Sequence, residues 1–153
     1  MKRALCVAAL ILAGCATTGP DIAPQGDVVA RPAPDLLAAV NAERGAGGLA
    51  ALRADPALDR AAMAHAEDMA AKGYFDHVAP DGSTPLRRMR AAGFDACYAA
   101  ENIAKGQRDA ATVLRDWMGS DGHRRNLLSP DPKAAGTARG TGDIWVMTYA
   151  RAC

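Results

Sequence analysis

His77, Glu101, Ser120 and His123 are side chains of types that bind or react, although taken separately each has a bland reading, since a lone histidine near an element end is more often a surface or hydrogen-bonding group than a ligand. Imidazole is the side chain that changes charge near neutral pH and the commonest metal ligand. Two neutral imidazoles and one carboxylate would form a three-ligand set with a position left open for water, as in catalytic zinc sites. Such an ion, zinc or another divalent cation, lowers the pKa of its bound water. Glu101 has two other uses. It can orient a histidine ring by accepting its second N–H, or it can cap backbone amides in a polar cleft. Ser120 stands three residues before His123, so a Ser–His contact backed by Glu101 is conceivable. No oxyanion hole is visible, however, and a serine at a helix end is usually a cap. Neither an H-E-x-x-H nor a C-x-x-C pattern is present. The third histidine, His65, lies seven residues after Leu58 on the apolar face of its segment and reads as structural.

The elements that must position these groups can be read from start and stop signals. Asp35 follows Pro34 and precedes Leu36-Leu37, as a helix N-cap does, and Gly45, Gly47 and Gly48 end that helix. Asp55-Pro56 opens a second helix, with Leu58, Ala62, Ala66, Met69 and Ala70 on one face and Lys72-Gly73 at its end. His77 therefore falls just past a helix. Asp81-Gly82-Ser83 is a turn, and Thr84-Pro85 opens a third helix through Leu86 and Met89 to Gly93. Asp109 caps a fourth, with Val113, Leu114 and Trp117 on one stripe. Ser120-Asp121-Gly122 breaks it, and a short turn carries residues 123–128. Residues 134–139 and 144–151 read as two strands around a Gly-rich turn. The second is apolar on both faces, so both faces must be covered. The fold class is α+β: helices on both sides of a small, mainly antiparallel central sheet.

The chain has 153 residues, with 18 Lys+Arg against 17 Asp+Glu. That balance leaves no basic excess for a general nucleic-acid surface. Half the residues are hydrophobic, but 36 are alanine, which leaves enough larger apolar side chains for one small core. Lys2 and Arg3 precede an apolar run over residues 4–12, too short to span a bilayer and suited to a secretory signal. Leu12-Ala13-Gly14-Cys15 resembles a bacterial lipobox. The resemblance implies cleavage after residue 14 and lipid on Cys15, with Ala16 favouring the outer membrane. The alternative is an ordinary secretory signal with an incidental cysteine. Removing residues 1–14 takes two bases and no acid, so the rest stays near neutral. Residues 15–34, rich in Pro and Gly, read as anchor and tether, and residues 35–153 as one domain. Cys97 and Cys153 then remain as an even pair in an oxidising compartment and are expected to form a disulfide, the alternative being two free buried thiols.

Taken in order, the strings around these residues resemble the CAP superfamily: cysteine-rich secretory proteins, antigen 5 and plant pathogenesis-related proteins, also called the SCP domain. The resemblance rests on Asn41-Ala42-Glu43-Arg44, Ala64-His65-Ala66-Glu67-Asp68-Met69-Ala70, and Tyr74-Phe75-Asp76-His77. It continues through Asp81-Gly82-Ser83 with Arg88, Glu101-Asn102-Ile103-Ala104, Trp117-Met118, and Gly122-His123-Arg124-Arg125-Asn126. It implies a three-layer α-β-α sandwich with a central cleft. In the family that cleft carries two histidines and two acidic residues, and some members bind zinc or another divalent ion there. His77 and His123 match the histidines and Glu101 the first glutamate. Ser120 occupies the place of the second, with Asp121 adjacent. The resemblance implies an envelope-anchored binding module. Its cleft would take a divalent metal, a lipid-like molecule, a cell-wall glycan fragment or a partner protein. A metal-assisted hydrolase of peptide or ester bonds is the alternative, and a structural envelope protein with a vestigial cleft is a third reading. Fold alone does not choose among them.

Overall fold

The structure, a computed structural model, describes residues 29–153. Cys15 and the signal segment lie outside the described residues. The elements run β1 (Arg31–Pro32), α1 (Pro34–Ala46), β2 (Arg53–Ala54), α2 (Pro56–Lys72), α3 (Pro85–Ala91), β3 (Ala96–Lys105), α4 (Ala110–Met118), α5 (Asp121–Leu127), β4 (Ala134–Gly140) and β5 (Ile144–Ala152). Strand order is β1-β4-β5-β3, antiparallel along that path, with β2 added parallel to β4. The architecture is the expected α+β sandwich.

Alternation along β5 divides the core. Trp145, Met147 and Tyr149 pack with Leu36 and Val40 of α1, Val113 and Trp117 of α4, and Leu127 of α5. Ile144 and Val146 face Ala62, Ala66 and Met69 of α2, and Ala150 joins Leu58, Ala61, Met89 and Phe94. Small side chains on α2 let it sit close over the sheet. Gly136 of β4 is the closest approach, since a Cβ there would stand 2.1 Å from the Leu58 carbonyl carbon. Alanine-rich composition thus becomes close packing of a helix on a strand.

Most boundaries follow their sequence signals. Asp55 Oδ1 accepts from the Ala57 amide at 2.9 Å, and Gly73 ends α2 with φ 69°. Three places differ. Helix α1 begins at Pro34 with Ala33 as its cap residue, so Asp35 lies in the first turn, where its charge favours the helix dipole rather than capping it. Arg31 and Pro32, read as tether, pair with Arg139 and Ala138 of β4, and Ala30 and Ala33 are buried. The segment over 123–128 is part of a full helix, α5, which begins at Asp121 and takes Gly122 into its first turn.

Strand β3 had no sequence signal and is the longest in the sheet. It lies at the sheet edge, paired with β5 from Lys105↔Ile144 to Ala96↔Ala152, with a register shift around Cys97. Cys97 and Cys153 are joined in a disulfide, with Cα atoms 4.9 Å apart. Arg44 of α1 is buried and bonds to backbone oxygens. Its guanidinium donates to the carbonyls of Ala50, Leu127 and Ser129 at 2.7–3.0 Å, tying the end of α5 to α1. Among the described residues no helix is long and apolar enough to cross a membrane.

Candidate functional site

Edge strand β3 builds the site because neighbouring residues on a strand point to opposite faces. Glu101 turns toward α2 and α3, and Asn102 turns toward α5. Each organises one histidine.

On the α2 and α3 side, the Glu101 carboxylate is buried and both oxygens are engaged. His77 Nδ1 lies 2.9 Å from Oε1, and the Arg88 guanidinium donates to Oε2 at 2.9 Å. His65 Nε2 stands 3.6 Å from Oε1 and 3.0 Å from the Asp76 carbonyl. Arg88 also donates to the carbonyls of His77 (2.9 Å) and Ser83 (2.7 Å). The loop carrying His77 is therefore clamped by Arg88 from one side and by His65 from the other. His65 is fully buried, as its helical face requires, but it belongs to the Glu101 cluster rather than only to the core. Its Nδ1 lies 3.4 Å from the Tyr74 hydroxyl, which donates to Asp68 at 2.6 Å.

On the α5 side, Asn102 is buried and donates to the His123 carbonyl and to the Tyr149 hydroxyl, both at 3.1 Å. Asn126 donates to the Asn102 side-chain oxygen (2.9 Å) and the Glu101 carbonyl (3.3 Å). The two asparagines satisfy backbone groups, as short polar side chains beside turns do, and so seat α5 on the strand edge. The Trp117 indole donates to the Ile103 carbonyl at 3.2 Å, and its ring lies 6.0 Å from that of His123. Ser120 is the N-cap residue of α5, but its side chain makes no capping bond.

Charge is unequal between the histidines. The hydrogen bond to Glu101 raises the His77 pKa above its ordinary value of 6.5, against some desolvation. Burial lowers that of His123, and charge on His77 lowers it further, so the two rings are electrostatic neighbours. Burial likewise lowers that of His65. A groove of about 340 Å³ runs beside His123 along β3, lined by Phe75, Trp117, Ser120, Lys105 and Gln107 among others. Phe75 is exposed at its mouth.

The structure thus brings His77 to Glu101 and places Ser120 and His123 on one groove. It does not assemble His77, His123 and Glu101 into a three-ligand metal set. Glu101 faces inward, toward His77 and Arg88, and among the described residues no three or more His, Cys, Asp or Glu side chains are grouped as a metal site. Sequence reasoning missed two members of the cluster, His65 and Arg88. Arg88 carried a signal only as part of the motif after Asp81-Gly82-Ser83.

Three layers with a histidine cleft at the edge of the central sheet define the class as a CAP-type sandwich. The chain belongs to the cysteine-rich secretory protein family, which it matches over residues 37–149. The Bacillus subtilis protein YkwD is 40% identical over 110 residues, covering 71% of this chain and 43% of that protein. An extracellular SCP-domain protein from Bacillus anthracis superposes with a TM-score of 0.72 at 27% identity, over 77% of this chain and 39% of that one. An outer surface protein from Borrelia burgdorferi shares the fold, with a TM-score of 0.71 at 21% identity over 78% of this chain and 92% of that one. The chain spans less than half the length of the curated relatives it matches.

Proposed function

We propose that this chain is an envelope-anchored CAP binding module. Lipid on Cys15 would hold it at the outer membrane, and the cleft at His77 and His123 would take a cell-wall fragment. The observation that carries the binding reading is the state of Glu101. Glu101 is buried and each of its oxygens accepts a hydrogen bond within the chain, from His77 and from Arg88, so it stands behind His77 rather than open to the groove. Glu101 is therefore a positioning group, and the groups left for a ligand are the two imidazoles and the groove with Phe75, Trp117 and Lys105. One exposed aromatic ring, Phe75, with a few polar groups beside it suits a glycan or glycopeptide. Metal-assisted hydrolysis of a peptide or ester bond is the weaker reading, because among the described residues no group of three or more His, Cys, Asp or Glu side chains forms a metal site. An exported location is supported by the disulfide and by relatives described as extracellular or outer-surface proteins.

A second reading has one observation behind it. His77 is half exposed beside Glu101 and His123 lies on the groove, and a divalent cation held by either imidazole would take its remaining donors from the ligand itself. Calorimetry with soluble muropeptides, with and without zinc, separates the readings. Metal-free heat that is lost in the His77→Ala/His123→Ala chain is the expected result. Heat only with zinc present selects the second reading, and none in either case removes the cleft as a binding site. In the same cells, the Cys15→Ala chain should leave the membrane fraction.

A further inference from the structure

The two edges of the sheet are finished differently. On one side β4 is covered by the two-residue strands β1 and β2, and Pro32 has no N–H to offer. The other edge is the ten-residue strand β3. There the Gly106 amide donates to the Asp143 carbonyl at 3.0 Å, which fixes the phase of the β3–β5 ladder. Hydrogen-bonded pairs recur at every second residue of an antiparallel pair. Asn102 and Ala104 therefore bond to β5, and the main-chain groups of Glu101, Ile103 and Lys105 point outward from the sheet edge. The side-chain bonds agree. Asn126 and Trp117 donate to the outward carbonyls of Glu101 and Ile103, at 3.3 and 3.2 Å.

The outward amides are left over. Among the described residues, the N–H groups of Ile103 and Lys105 have no acceptor. Both residues line the groove beside His123. Phe75 enters that groove from the loop after α2, and Trp117, Ser120 and His123 enter it from the opposite layer. The groove, of about 340 Å³, is thus a slot in the plane of the sheet. Trp117 reaches the Ile103 carbonyl from the α4 layer, so that oxygen keeps its second lone pair for a donor in the sheet plane. Unpaired main-chain groups on a strand edge are a template for another strand.

We propose that this slot holds an extended peptide, added as a short strand to the outer edge of β3 through main-chain bonds to Ile103 and Lys105. The two amides are about 6.7 Å apart, twice the rise per strand residue, and alternate carbonyls of an extended peptide share that spacing. Main-chain pairing supplies the affinity in this mode, and the slot walls select among side chains. Gly106, with φ 95°, turns β3 away, and Lys105 places a charge on the edge, so the slot takes a short peptide and not a second sheet. The inference rests on the cleft being a binding site, and it names the peptide part of a cell-wall fragment, rather than the sugar, as what the cleft holds.

Calorimetry on the full chain with soluble muropeptides, their free stem peptide and their free disaccharide tests it, alongside amide exchange by NMR. The stem peptide should bind as tightly as the whole muropeptide, and the disaccharide should give no heat. At saturation with the stem peptide, exchange at the Ile103 and Lys105 amides should slow by about tenfold or more. Lys105→Pro removes one outward donor and should bind about tenfold more weakly than Lys105→Ala, which keeps it. Proline is tolerated where an edge-strand nitrogen faces outward. If the proline chain does not fold, the exchange measurement on the parent decides. Heat carried by the disaccharide, or unchanged exchange at both amides in the bound state, overturns this inference and leaves the cleft as a binding site. No heat from any of the three ligands overturns both.

Discussion

At the scale of single residues, Glu101 determines the most. It orients His77, neutralises Arg88 and lies 3.6 Å from His65. Substituting Glu101→Gln keeps the shape but leaves Arg88, whose side chain is only 10% exposed, without its counter-charge. Removing one partner of a buried pair costs about 3 kcal/mol or more. Urea denaturation at pH 7 should show that loss, and a change under about 1 kcal/mol would mean the pair is solvated. The same substitution has a pH signature. His77 holds its proton more tightly when folded than when unfolded, because Glu101 raises its pKa. Its contribution to stability is therefore complete below about 6.5 and is lost as pH rises through the raised value. His65 and His123 behave oppositely. Burial lowers their pKa values, so their contribution is complete above about 6.5 and is lost as pH falls through the lowered values. Glu101→Gln should abolish the alkaline-side loss and keep the acid-side one, measured by denaturation between about pH 5 and 8. Histidine NMR titrations should show the His77 midpoint falling. An unchanged His77 midpoint would show that the carboxylate is not its partner in solution.

At the scale of elements, the contact of α2 with β4 is the tightest fit. Gly136→Ala would push a methyl into the backbone at Leu58 and Asp59, at 2.1–2.4 Å, where no side chain can yield. Overpacking of this kind costs about 3 kcal/mol, the upper end of its usual range, and differential scanning calorimetry should register it. A loss under about 1 kcal/mol would mean that α2 lifts off without penalty. Helices and site differed in how far they could be read beforehand. Helix α2 was legible because Asp55, Pro56 and Gly73 each act locally, through a cap, a preset φ and a left-handed turn. Strand β3 was not. Tyr98-Ala99-Ala100-Glu101-Asn102-Ile103-Ala104 lacks alternation and uses residues that strands disfavour. What makes it a strand is distant: the ladder with β5 and the side chains of Asn126 and Trp117 on its outer carbonyls. His77, Glu101 and His123 could be picked from their strings. That Glu101 reaches back to His65 on α2 could not, because it depends on which face of an unrecognised strand each residue takes.

At the scale of the whole molecule, the disulfide ties the start of the site strand to the end of its neighbour. Cys97 sits at the register shift that opens β3, and Cys153 lies beyond the end of β5, 56 residues on. The Cys153 amide also donates to the Asp95 carbonyl at 3.0 Å. The loop so closed contains most of β3 and all of α4, α5, β4 and β5, and hence Glu101 and His123 but not His77. A loop of that length restricts the unfolded chain by about 4 kcal/mol in the chain-entropy account. The Cys97→Ser/Cys153→Ser chain should accordingly unfold about 15 °C lower. Because the bond acts mainly on the unfolded chain, the folded site should survive. At about 25 °C the Cys97→Ser/Cys153→Ser chain should keep the His77 NMR midpoint of the parent, while amide exchange quickens at residues 98–100. If instead the His77 midpoint falls to its ordinary value, the disulfide is needed to hold Glu101 in register, and the ladder from Glu101↔Thr148 to Lys105↔Ile144 is not sufficient on its own. The two outcomes separate a bond that stabilises the domain from one that builds its site, and nine ladder pairs between β3 and β5 favour the first.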